Sequence, residues 1–506
     1  MTSSRDPETD WPEPDDRYNA AWRSAVAPDG WTNPLPAARY NLVVIGGGTA
    51  GLVTAVAAAG LGARVALVER QRLGGDCLNT GCVPSKTLLR SARAAAAVRD
   101  APRFGVRVPD GVQVDFAAVM ERMRAIRAAI SPHDSAQRLR GLGVDVFFGE
   151  AQFLGRDSIG VAGATLRFRR AVIATGARIS PPSVSGLEAV RYLTHESVWS
   201  LTTQPRRLAV LGGGPIGCEL AHAFARLGTR VTVFHPHAEI LDKEDTDAAA
   251  TVRAALERDG VEFRLGVRVT AISTDASGLV LLNAGSEPFE ALLVATGRKP
   301  NVDRLALGAA GVALTPQGRL QVNDRLQTTN SRIFAAGDVC LHDQFTHAAD
   351  FSARLVVQNA LFFGRKKASS LLVPRATYTD PELASVGLTL ASARSRGVAV
   401  DVFHRPFADV DRARTDDDGP GFVRILVAAG TDRIVGATIV GPHAGDLISE
   451  VTVAMGSGTG LGRLAAIIHP YPTLAEAIRQ CGDQFNRTRL TPSVKAWMER
   501  WFRWLR

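Results

Sequence analysis

Cys77 and Cys82 are the residues of this sequence best suited to redox chemistry, and they lie in the run GGDCLNTGCVPSK that begins at Gly74. Two cysteines five positions apart at a loop-to-helix junction reach disulfide distance if the turn is tight, and Gly81 allows a tight turn. Pro84 suits the first turn of a helix. A cysteine there meets unpaired N–H groups and the positive end of the helix dipole, which lower its pKa and favour the thiolate. The spacing therefore predicts a redox-active cysteine pair.

A glycine fingerprint precedes this run. Gly46, Gly48 and Gly51 follow the β-branched segment NLVVI and open an alanine-rich segment, and Glu69 ends the next β-branched segment. The first glycine permits a tight turn, the second lets a pyrophosphate approach the backbone, and the third lets helix and strand pack closely. The helix N-terminus offers N–H groups to the anion, and Glu69 would accept hydrogen bonds from ribose hydroxyls. We therefore expect a dinucleotide site.

The same pattern returns later in the chain. Gly212, Gly214 and Gly217 follow the segment RLAVL, but the next strand ends in FHPH, with His235 and His237 and no carboxylate. An acid at this place would repel the 2′-phosphate of NADPH. Its absence favours NADPH over NADH, whereas the alternative is that both histidines are exposed loop residues. Two dinucleotides in one chain suggest electron transfer from a nicotinamide to a flavin.

The helices and strands that must position these residues are predicted from the same hydrophobic segments and glycines. The segment 42–63 has no charged residue and is long enough to cross a bilayer. The glycines that interrupt it favour strand, turn, helix and strand instead. From about Val373 strand-like segments are followed by helices. The expected fold class is α/β, with two Rossmann-like dinucleotide-binding domains and a C-terminal α+β domain.

Composition excludes several classes of protein. The chain has 506 residues, of which 46% are hydrophobic and 22% charged, and this excludes disordered and collagen-like chains. Five cysteines do not form a disulfide framework in so long a chain, and the first residues do not resemble a signal peptide, so we expect a cytoplasmic protein. The net charge of +9 comes from arginines that are scattered along the chain, and the sequence shows no nucleic-acid recognition motif. We therefore expect no nucleic-acid partner.

These motifs resemble those of the class I FAD- and pyridine-nucleotide-dependent disulfide oxidoreductases, which include dihydrolipoamide dehydrogenase, glutathione reductase and mercuric reductase. The resemblance covers roughly residues 40–483 and extends to ATGRKPN, IFAAGDV, TDPELASVGLT and HPYPTLAEA. It implies FAD and NADPH as cofactors, with NADH as an alternative, and a homodimer. It implies the domains 1–38 (extension), 39–187 (FAD-binding, first part), 188–302 (NAD(P)-binding), 303–370 (FAD-binding or central, second part), 371–483 (dimerisation) and 484–506 (basic aromatic tail).

The resemblance also assigns roles to residues. Lys86 would pair with Glu219 near the flavin N5. Cys82 would be the charge-transfer thiol next to the flavin, and Cys77 the interchange thiol that attacks the substrate. NAD(P)H would reduce FAD, which would reduce the cysteine disulfide. The further residues implied at the cofactors are Thr175, Gly176, Gly297, Gly337, Asp338 (at the ribityl chain of FAD), His347 and Ala348 (beside the flavin ring).

The sequence departs from the family in its last motif. Disulfide reductases have His-Pro-Thr there, and that histidine, with a glutamate matched by Glu476, is the acid–base group for thiol exchange. This chain has Tyr471, a poor base at neutral pH. His469 is the alternative base. Mercuric reductases resemble this chain in having the tyrosine, but an adjacent C-terminal cysteine pair is missing, because Cys481 stands alone. We expect the electron acceptor to be a disulfide, a metal ion such as Hg(II) or another small oxidant. The alternative is that the chain is a dihydrolipoamide dehydrogenase.

The two ends of the chain carry most of the tryptophans. Trp497, Trp501 and Trp504 fall on one helical face among arginines. Such a helix could lie on an anionic membrane surface, dock a partner protein or pack on its own dimer. The first alternative would make the chain a redox partner at a membrane surface. The N-terminal extension contains Trp11, Trp22 and Trp31, and thus the two ends could pack together.

Overall fold

A computed structural model of the chain describes residues 13–274, 280–283 and 288–506. Trp11 and parts of the predicted 188–302 domain therefore lie outside the described residues. The chain divides into two compact units, each made from separate stretches of sequence. The first unit comprises Met1–Gly212, Ala223–Phe234 and Arg268–Leu371, and the second comprises Gly213–His222, His235–Val267 and Leu372–Arg506. The finer domain boundaries given above stay a prediction.

The α-helices are α1 Arg17–Val26, α2 Thr49–Gly60, α3 Gly75–Asn79, α4 Cys82–Asp100, α5 Phe116–Ile130, α6 Ala136–Gly141, α7 Pro215–Arg226, α8 Thr246–Arg258, α9 Leu307–Ala310, α10 Thr346–Leu361, α11 Leu390–Ser395, α12 Asp411–Thr415, α13 Ala444–Ser457, α14 Leu461–Leu464, α15 Glu476–Thr488 and α16 Pro492–Leu505. The strands are β1 Tyr40–Ile45, β2 Val65–Glu69, β3 Val144–Phe148, β4 Gln152–Gly155, β5 Ser158–Val161, β6 Ala164–Ile173, β7 Ala177–Ile179, β8 Arg207–Leu211, β9 Arg230–His235, β10 Val261–Leu265, β11 Ile272–Thr274, β12 Val280–Leu282, β13 Ala291–Val294, β14 Arg298–Pro300, β15 Ile333–Ala335, β16 Arg375–Thr377, β17 Glu382–Gly387, β18 Val400–Pro406, β19 Phe422–Ala428 and β20 Ile434–Gly441.

The main sheet of the first unit is built around β1, which is buried along most of its length. Its order is β3-β2-β1-β6-β5-β4, and β15 pairs with β6. β1 is parallel to both β2 and β6, with Leu42 opposite Val65 and Tyr40 opposite Phe168. An uncharged, β-branched strand suits this place because helices cover both faces of a parallel sheet. The predicted strand–helix–strand arrangement is confirmed, because β1, α2 and β2 follow one another between Tyr40 and Glu69.

A second parallel arrangement forms around β8 in the same unit. β8 lies between β9 and β13, with Leu208 opposite both Val231 and Ala291. The glycine fingerprint follows β8 as the first follows β1, so the prediction of two Rossmann-like domains is confirmed. In the part of the chain that the structure describes, none of the helices combines the length and hydrophobicity needed to span a bilayer.

The second unit contains an antiparallel sheet of order β16-β17-β20-β19-β18. Helices α13 and α15 pack on it through Ile448, Val451, Ile478 and Cys481, which are buried with the apolar side chains of the strands. Antiparallel strands with helices on one side form an α+β domain, as predicted for this part of the chain.

The two ends of the chain differ in burial. Trp22 of α1 is fully buried and belongs to the hydrophobic core around β1 and β2. The extension therefore does not stand apart from the first unit, although it has no core of its own. Helix α16 has no buried residue, and Trp497 and Trp504 are 64% and 74% exposed.

Candidate functional site

The predicted redox pair lies where two helices meet. Cys77 is in α3 and Cys82 is the first residue of α4, and the structure contains them as two thiols joined by a hydrogen bond. A Cβ on Gly81 would lie 2.8 Å from the carbonyl oxygen of Asp76, so the tight turn between the cysteines requires glycine. The Sγ of Cys82 is 3.3 Å from the Oγ1 of Thr346. The predicted turn and helix start are both present.

The pKa of Cys77 is raised well above its usual range by the hydrogen bond to Cys82 and by burial. The lowered pKa was expected for the cysteine at the helix start, which is Cys82, so the raised pKa of Cys77 leaves that expectation a prediction.

A cleft of about 390 Å³ opens beside the pair in the first unit. Cys82 and Lys86 lie on one wall, and Arg90 and Arg122 add positive charge. The remaining lining is largely apolar, with Ile126 and its neighbours from α5. The cleft therefore suits a small ligand with an apolar body and an anionic group.

The first glycine fingerprint fits a dinucleotide. A Cβ on Gly46 would lie 2.4 Å from the Ala174 carbonyl oxygen, and one on Gly51 would lie 1.8 Å from that of Gly46. Gly48 begins α2 without any side-chain hydrogen bond to the helix N-terminus, so these N–H groups are left for an anion. The Oε2 of Glu69 accepts a hydrogen bond of 2.6 Å from the N–H of Gly47, and burial raises the pKa of its carboxyl. Four predicted residues of the FAD site thus lie together.

The fingerprint touches the redox run directly. The N–H of Gly74 donates to the carbonyl oxygen of Gly47 at 2.8 Å. A Cβ on Gly75 would lie only 2.5 Å from the Cα of Gly48. A cofactor held by the fingerprint is therefore held next to the segment that carries Cys77.

Asp338 lies in the turn that follows β15, as the sequence places it after IFAAG. Gly337 has a φ of +76°, and its N–H donates to the hydroxyl of Ser352 at 3.0 Å. Burial raises the pKa of Asp338, while the guanidinium of Arg298 at 3.5 Å opposes that rise. Arg298 also forms an ion pair with Asp76, the neighbour of Cys77. Sequence reasoning missed this bridging arginine, although it lies within the ATGRKPN motif.

The sequence ATG occurs at residues 174–176 and again at 295–297, and the segments that contain these two motifs contact each other in the first unit. The hydroxyl of Thr175 donates to the Asn301 carbonyl oxygen at 2.7 Å, and the Asn301 N–H donates to that of Gly176 at 3.0 Å. The carbonyl oxygen of Gly297 accepts from the N–H of Ser180 at 2.8 Å. Thr175, Gly176 and Gly297 therefore form one connection between the two Rossmann-like parts.

His347 and Ala348 lie in the first turn of α10, immediately after Thr346, the neighbour of Cys82. Ala348 is buried, and the ring of His347 stacks on Phe345 with 5.4 Å between ring centroids. The start of α10 is thereby placed at the redox pair.

The second fingerprint repeats the geometry of the first with a different side chain. The Nδ1 of His235 accepts a hydrogen bond of 3.1 Å from the N–H of Gly213, as Glu69 does from Gly47. His235 is only 6% exposed, so the alternative that it is an exposed loop residue is wrong. Burial lowers the pKa of His235, and its Nε2 is buried without a hydrogen-bond partner. His237 is largely exposed and lies 3.8 Å from Asp242.

The predicted pair of Lys86 and Glu219 involves both units. Lys86 lies in α4 and lines the cleft described above. Glu219 lies in α7, where it is buried and accepts from the N–H of Tyr378 at 2.9 Å. Their pairing stays a prediction.

Tyr471, Glu476 and His469 lie in the second unit. The hydroxyl of Tyr471 donates to Asp411 at 3.0 Å, which raises the pKa of the phenol. Glu476 is buried and forms an ion pair of 3.0 Å with Arg479. The phenol of Tyr471 is therefore a poor proton acceptor at neutral pH.

Both ring nitrogens of His469 have oxygen partners in the second unit. Nδ1 lies 2.9 Å from the carbonyl oxygen of Ile467, and Nε2 lies 2.8 Å from Glu450. The ring is therefore engaged in structural contacts.

Of the remaining cysteines, Cys218 and Cys481 are buried and Cys340 is partly buried. Burial raises the pKa of Cys340 and of Cys481 to about 12, and that of Cys218 above its usual range. Thiols that stay protonated in apolar surroundings act as packing residues. The packing role predicted for Cys218 and Cys340 agrees with these surroundings.

Several residues that contact the segment of the redox pair could not be recognised from the sequence around them. Asn79, between the two cysteines, contacts Trp22 of α1 and Arg127 of α5. The carbonyl oxygen of Thr80 accepts from the indole N–H of Trp199 at 2.9 Å. These contacts join positions 48 to 119 residues apart, and therefore local spacing could not reveal them.

Comparison with known proteins agrees with these motifs. Residues 40–359 match the family model described as pyridine nucleotide-disulphide oxidoreductase, and residues 373–481 match the dimerisation domain of that family. The chain is 35% identical over 453 residues to a mercuric reductase of Lysinibacillus sphaericus, covering 88% of this chain and 83% of the relative. It is 34% identical over 465 residues to a dihydrolipoyl dehydrogenase of Thermus scotoductus, covering 88% and 98% respectively.

Solved structures give the same fold. The HOCl-induced flavoprotein disulfide reductase RclA from Escherichia coli superposes with a TM-score of 0.78 at 30% identity, covering 87% of this chain and 99% of RclA. A Cu(II) complex of RclA superposes equally well, at 29% identity, covering 88% of this chain and all of that chain.

Proposed function

Because the chain belongs to the pyridine nucleotide-disulphide oxidoreductase family, whose members use FAD and NAD(P)H, we propose that it passes electrons from NADPH through Cys77 and Cys82 to a soft metal ion or another small oxidant. The observation that carries the proposal is the contact between the two thiols at the start of α4, beside the first fingerprint. When bound, FAD supplies the step from hydride donor to disulfide.

The chain's own residues divide the work of the pair. Two thiols in contact can close to a disulfide and open again. Thr346 adds a hydroxyl 3.3 Å from the sulfur of Cys82 and also hydrogen-bonds Cys77. Cys82, at the start of α4, is proposed as the thiol next to the cofactor, and Cys77 as the thiol that meets the acceptor.

The choice of acceptor rests on Tyr471. A thiol that leaves a substrate disulfide must be protonated, and a phenol with a raised pKa does not cycle a proton at neutral pH. Both ring nitrogens of His469 are engaged with Ile467 and Glu450, so His469 is not proposed to replace it. Reduction of a metal ion needs no such proton, and this favours Hg(II) or Cu(II) over lipoamide or glutathione disulfide.

The nicotinamide cofactor is proposed to be NADPH on the basis of His235. Its Nδ1 accepts from Gly213, so the proton of the neutral ring is on Nε2, a buried donor without a partner. A donor at this position can meet a phosphate oxygen, whereas the carboxylate of Glu69 at the equivalent place of the first fingerprint would repel it.

The match to the dimerisation domain supports a homodimer. The proposed active form therefore contains two copies of the chain.

Steady-state oxidation of NADPH by the FAD-loaded dimer tests the proposal. Hg(II) with excess thiol, Cu(II), lipoamide, glutathione disulfide and a quinone are compared at equal concentration. We expect a metal ion to give the highest kcat/KM and both disulfides to react at least about tenfold more slowly. A C82S variant should lose the metal activity. A wild type that is fastest with lipoamide contradicts the choice of acceptor and favours dihydrolipoamide dehydrogenase activity.

A second candidate function rests on α16. Its exposed tryptophans lie among Lys495, Arg500, Arg503 and Arg506, and a helix with this pattern can bind an anionic membrane surface. In this case the chain would be a redox partner docked at the membrane. Flotation with anionic vesicles should recover the full chain and not a chain ending at Thr491. Equal recovery of both chains contradicts this function.

A further inference from the structure

Helix α1 lies before the region that matches the family model, which begins at residue 40. Its Trp22 is fully buried, and the indole N–H donates to the Oδ1 of Asn79 at 2.8 Å. The side-chain amide of Asn79 in turn donates to the carbonyl oxygen of Leu73 at 2.9 Å. A residue of the extension is thereby bonded to the segment between the two cysteines.

A second contact reaches the same residue through α5. Arg127 is 1% exposed, its Nη1 donates to the carbonyl oxygen of Asn79 at 3.0 Å, and its Nη2 donates to the Oδ1 of Asn19 in α1 at 2.7 Å. The guanidinium carbon lies 3.9 Å from the centroid of the Trp22 ring. Arg127 therefore depends on α1 for both a hydrogen-bond acceptor and an aromatic face.

Asn79 is thus held by its side-chain oxygen, its side-chain nitrogen and its backbone carbonyl. It lies two residues after Cys77 and three before Cys82. Interconversion of dithiol and disulfide changes the separation of the two sulfurs that flank this segment. A network that holds Asn79 in place therefore acts on that equilibrium.

We propose that α1 positions the redox pair of this enzyme, with Trp22 acting through Asn79 to set the equilibrium between the dithiol and the disulfide of Cys77 and Cys82. The inference rests on the proposed function only in requiring that the two cysteines interconvert between dithiol and disulfide. Trp22 is a positioning residue, since it touches neither sulfur in the contacts described above.

The test is an equilibrium between the FAD-loaded protein and glutathione under anaerobic conditions. The reaction is protein dithiol plus glutathione disulfide giving protein disulfide plus two glutathione thiols, so electrons and protons balance. The fraction of Cys77–Cys82 disulfide is measured by alkylation and mass spectrometry. W22F keeps an aromatic ring and removes the N–H, and leaves a buried acceptor on Asn79. We expect its equilibrium between dithiol and disulfide to shift by about fivefold from that of the wild type.

Trp31 provides a matched control in the same extension. Its indole N–H donates to the carbonyl oxygen of Val146 at 3.2 Å, in β3 and not in the redox segment. W31F should leave the equilibrium within about twofold of the wild type, because it removes one hydrogen bond elsewhere. N19A removes the acceptor of Arg127 and should shift the equilibrium in the same direction as W22F, which keeps the test valid if W22F does not fold.

Three results would overturn the inference. W22F and N19A could match the wild type, or W22F and W31F could shift the equilibrium equally, and either result would show that α1 does not act on the pair specifically. A wild type that forms no Cys77–Cys82 disulfide at any glutathione ratio would instead refute the redox role of the pair, and thereby the proposed function.

Discussion

Exchange of His235 for glutamate should reverse the preference between NADPH and NADH. In H235E the carboxylate can accept from the N–H of Gly213, as Glu69 accepts from Gly47 at 2.6 Å. The substitution also removes the buried Nε2–H donor of His235 and adds a negative charge where the 2′-phosphate is proposed to bind. The backbone arrangement already accommodates a carboxylate at the equivalent place in the first fingerprint, so the substitution should fold.

The size of the effect follows from charge and hydrogen bonding. Two unit charges about 5 Å apart interact with about 3 kcal/mol at an effective dielectric constant of about 20, which is roughly a hundredfold in binding. A hydrogen bond from the ribose 2′-hydroxyl of NADH to a charged acceptor adds about 1.5 kcal/mol, or roughly tenfold. The ratio of kcat/KM for NADPH over NADH should therefore fall by about two to three orders of magnitude.

The assay compares both nucleotides at a saturating concentration of one acceptor. H237E is the control, because His237 is 59% exposed and a charge there is screened by solvent; its ratio should change by less than about tenfold. Since burial lowers the pKa of His235, the ring stays neutral from pH 7 to 8 and the wild-type ratio should be constant across that range. An unchanged ratio in H235E, or an equal change in H237E, would refute the reasoning.

Three further predictions concern other parts of the chain. Anaerobic addition of NADPH should produce a long-wavelength absorbance band in the wild type that C82S lacks, and a C82S protein with the band would contradict the assignment. Y471H should introduce a base and raise the rate with lipoamide by at least about tenfold while the rate with Hg(II) changes little; equal changes with both acceptors would show a different role. Arg424 lowers the pKa of Asp247, so this carboxylate stabilises the fold above its ordinary pKa and loses the effect as pH falls through the lowered value. D247N should therefore reduce the urea midpoint at pH 7, with a difference that shrinks toward pH 3, and a difference independent of pH would contradict the ion pair.

Local spacing was sufficient for the parts of the fold that local chemistry determines. The tight turns at Gly46 and Gly81 follow from glycine's lack of a Cβ, and the structure places a carbonyl oxygen within 3 Å of each missing Cβ position. Glu69 was expected at a cofactor, and its place at the end of β2 beside the fingerprint is as predicted. The turn at Gly81 depends on residues close in sequence, whereas the carbonyl oxygen next to Gly46 belongs to Ala174 in a distant part of the chain.

Burial and long-range contacts set the limits of sequence reasoning. The protonation of His235 depends on which ring nitrogen meets Gly213, and this requires coordinates. Cys77 has a raised pKa because a second thiol and burial favour its protonated form, and the motif alone indicated neither. Trp22 looked like part of a loose extension, since nothing near it in sequence indicates that it reaches Asn79.

The close approach of Gly48 and Gly75 has a consequence for how this enzyme can be altered. A methyl group on Gly75 would lie 2.5 Å from the backbone of Gly48, so a side chain at Gly75 would separate the two loops. The loop around Gly48 and the loop around Gly75 are therefore not independent modules. In chimeras between related enzymes, the two loops should be exchanged together, because a mismatched pair would fail through steric exclusion even if each loop were functional in its parent.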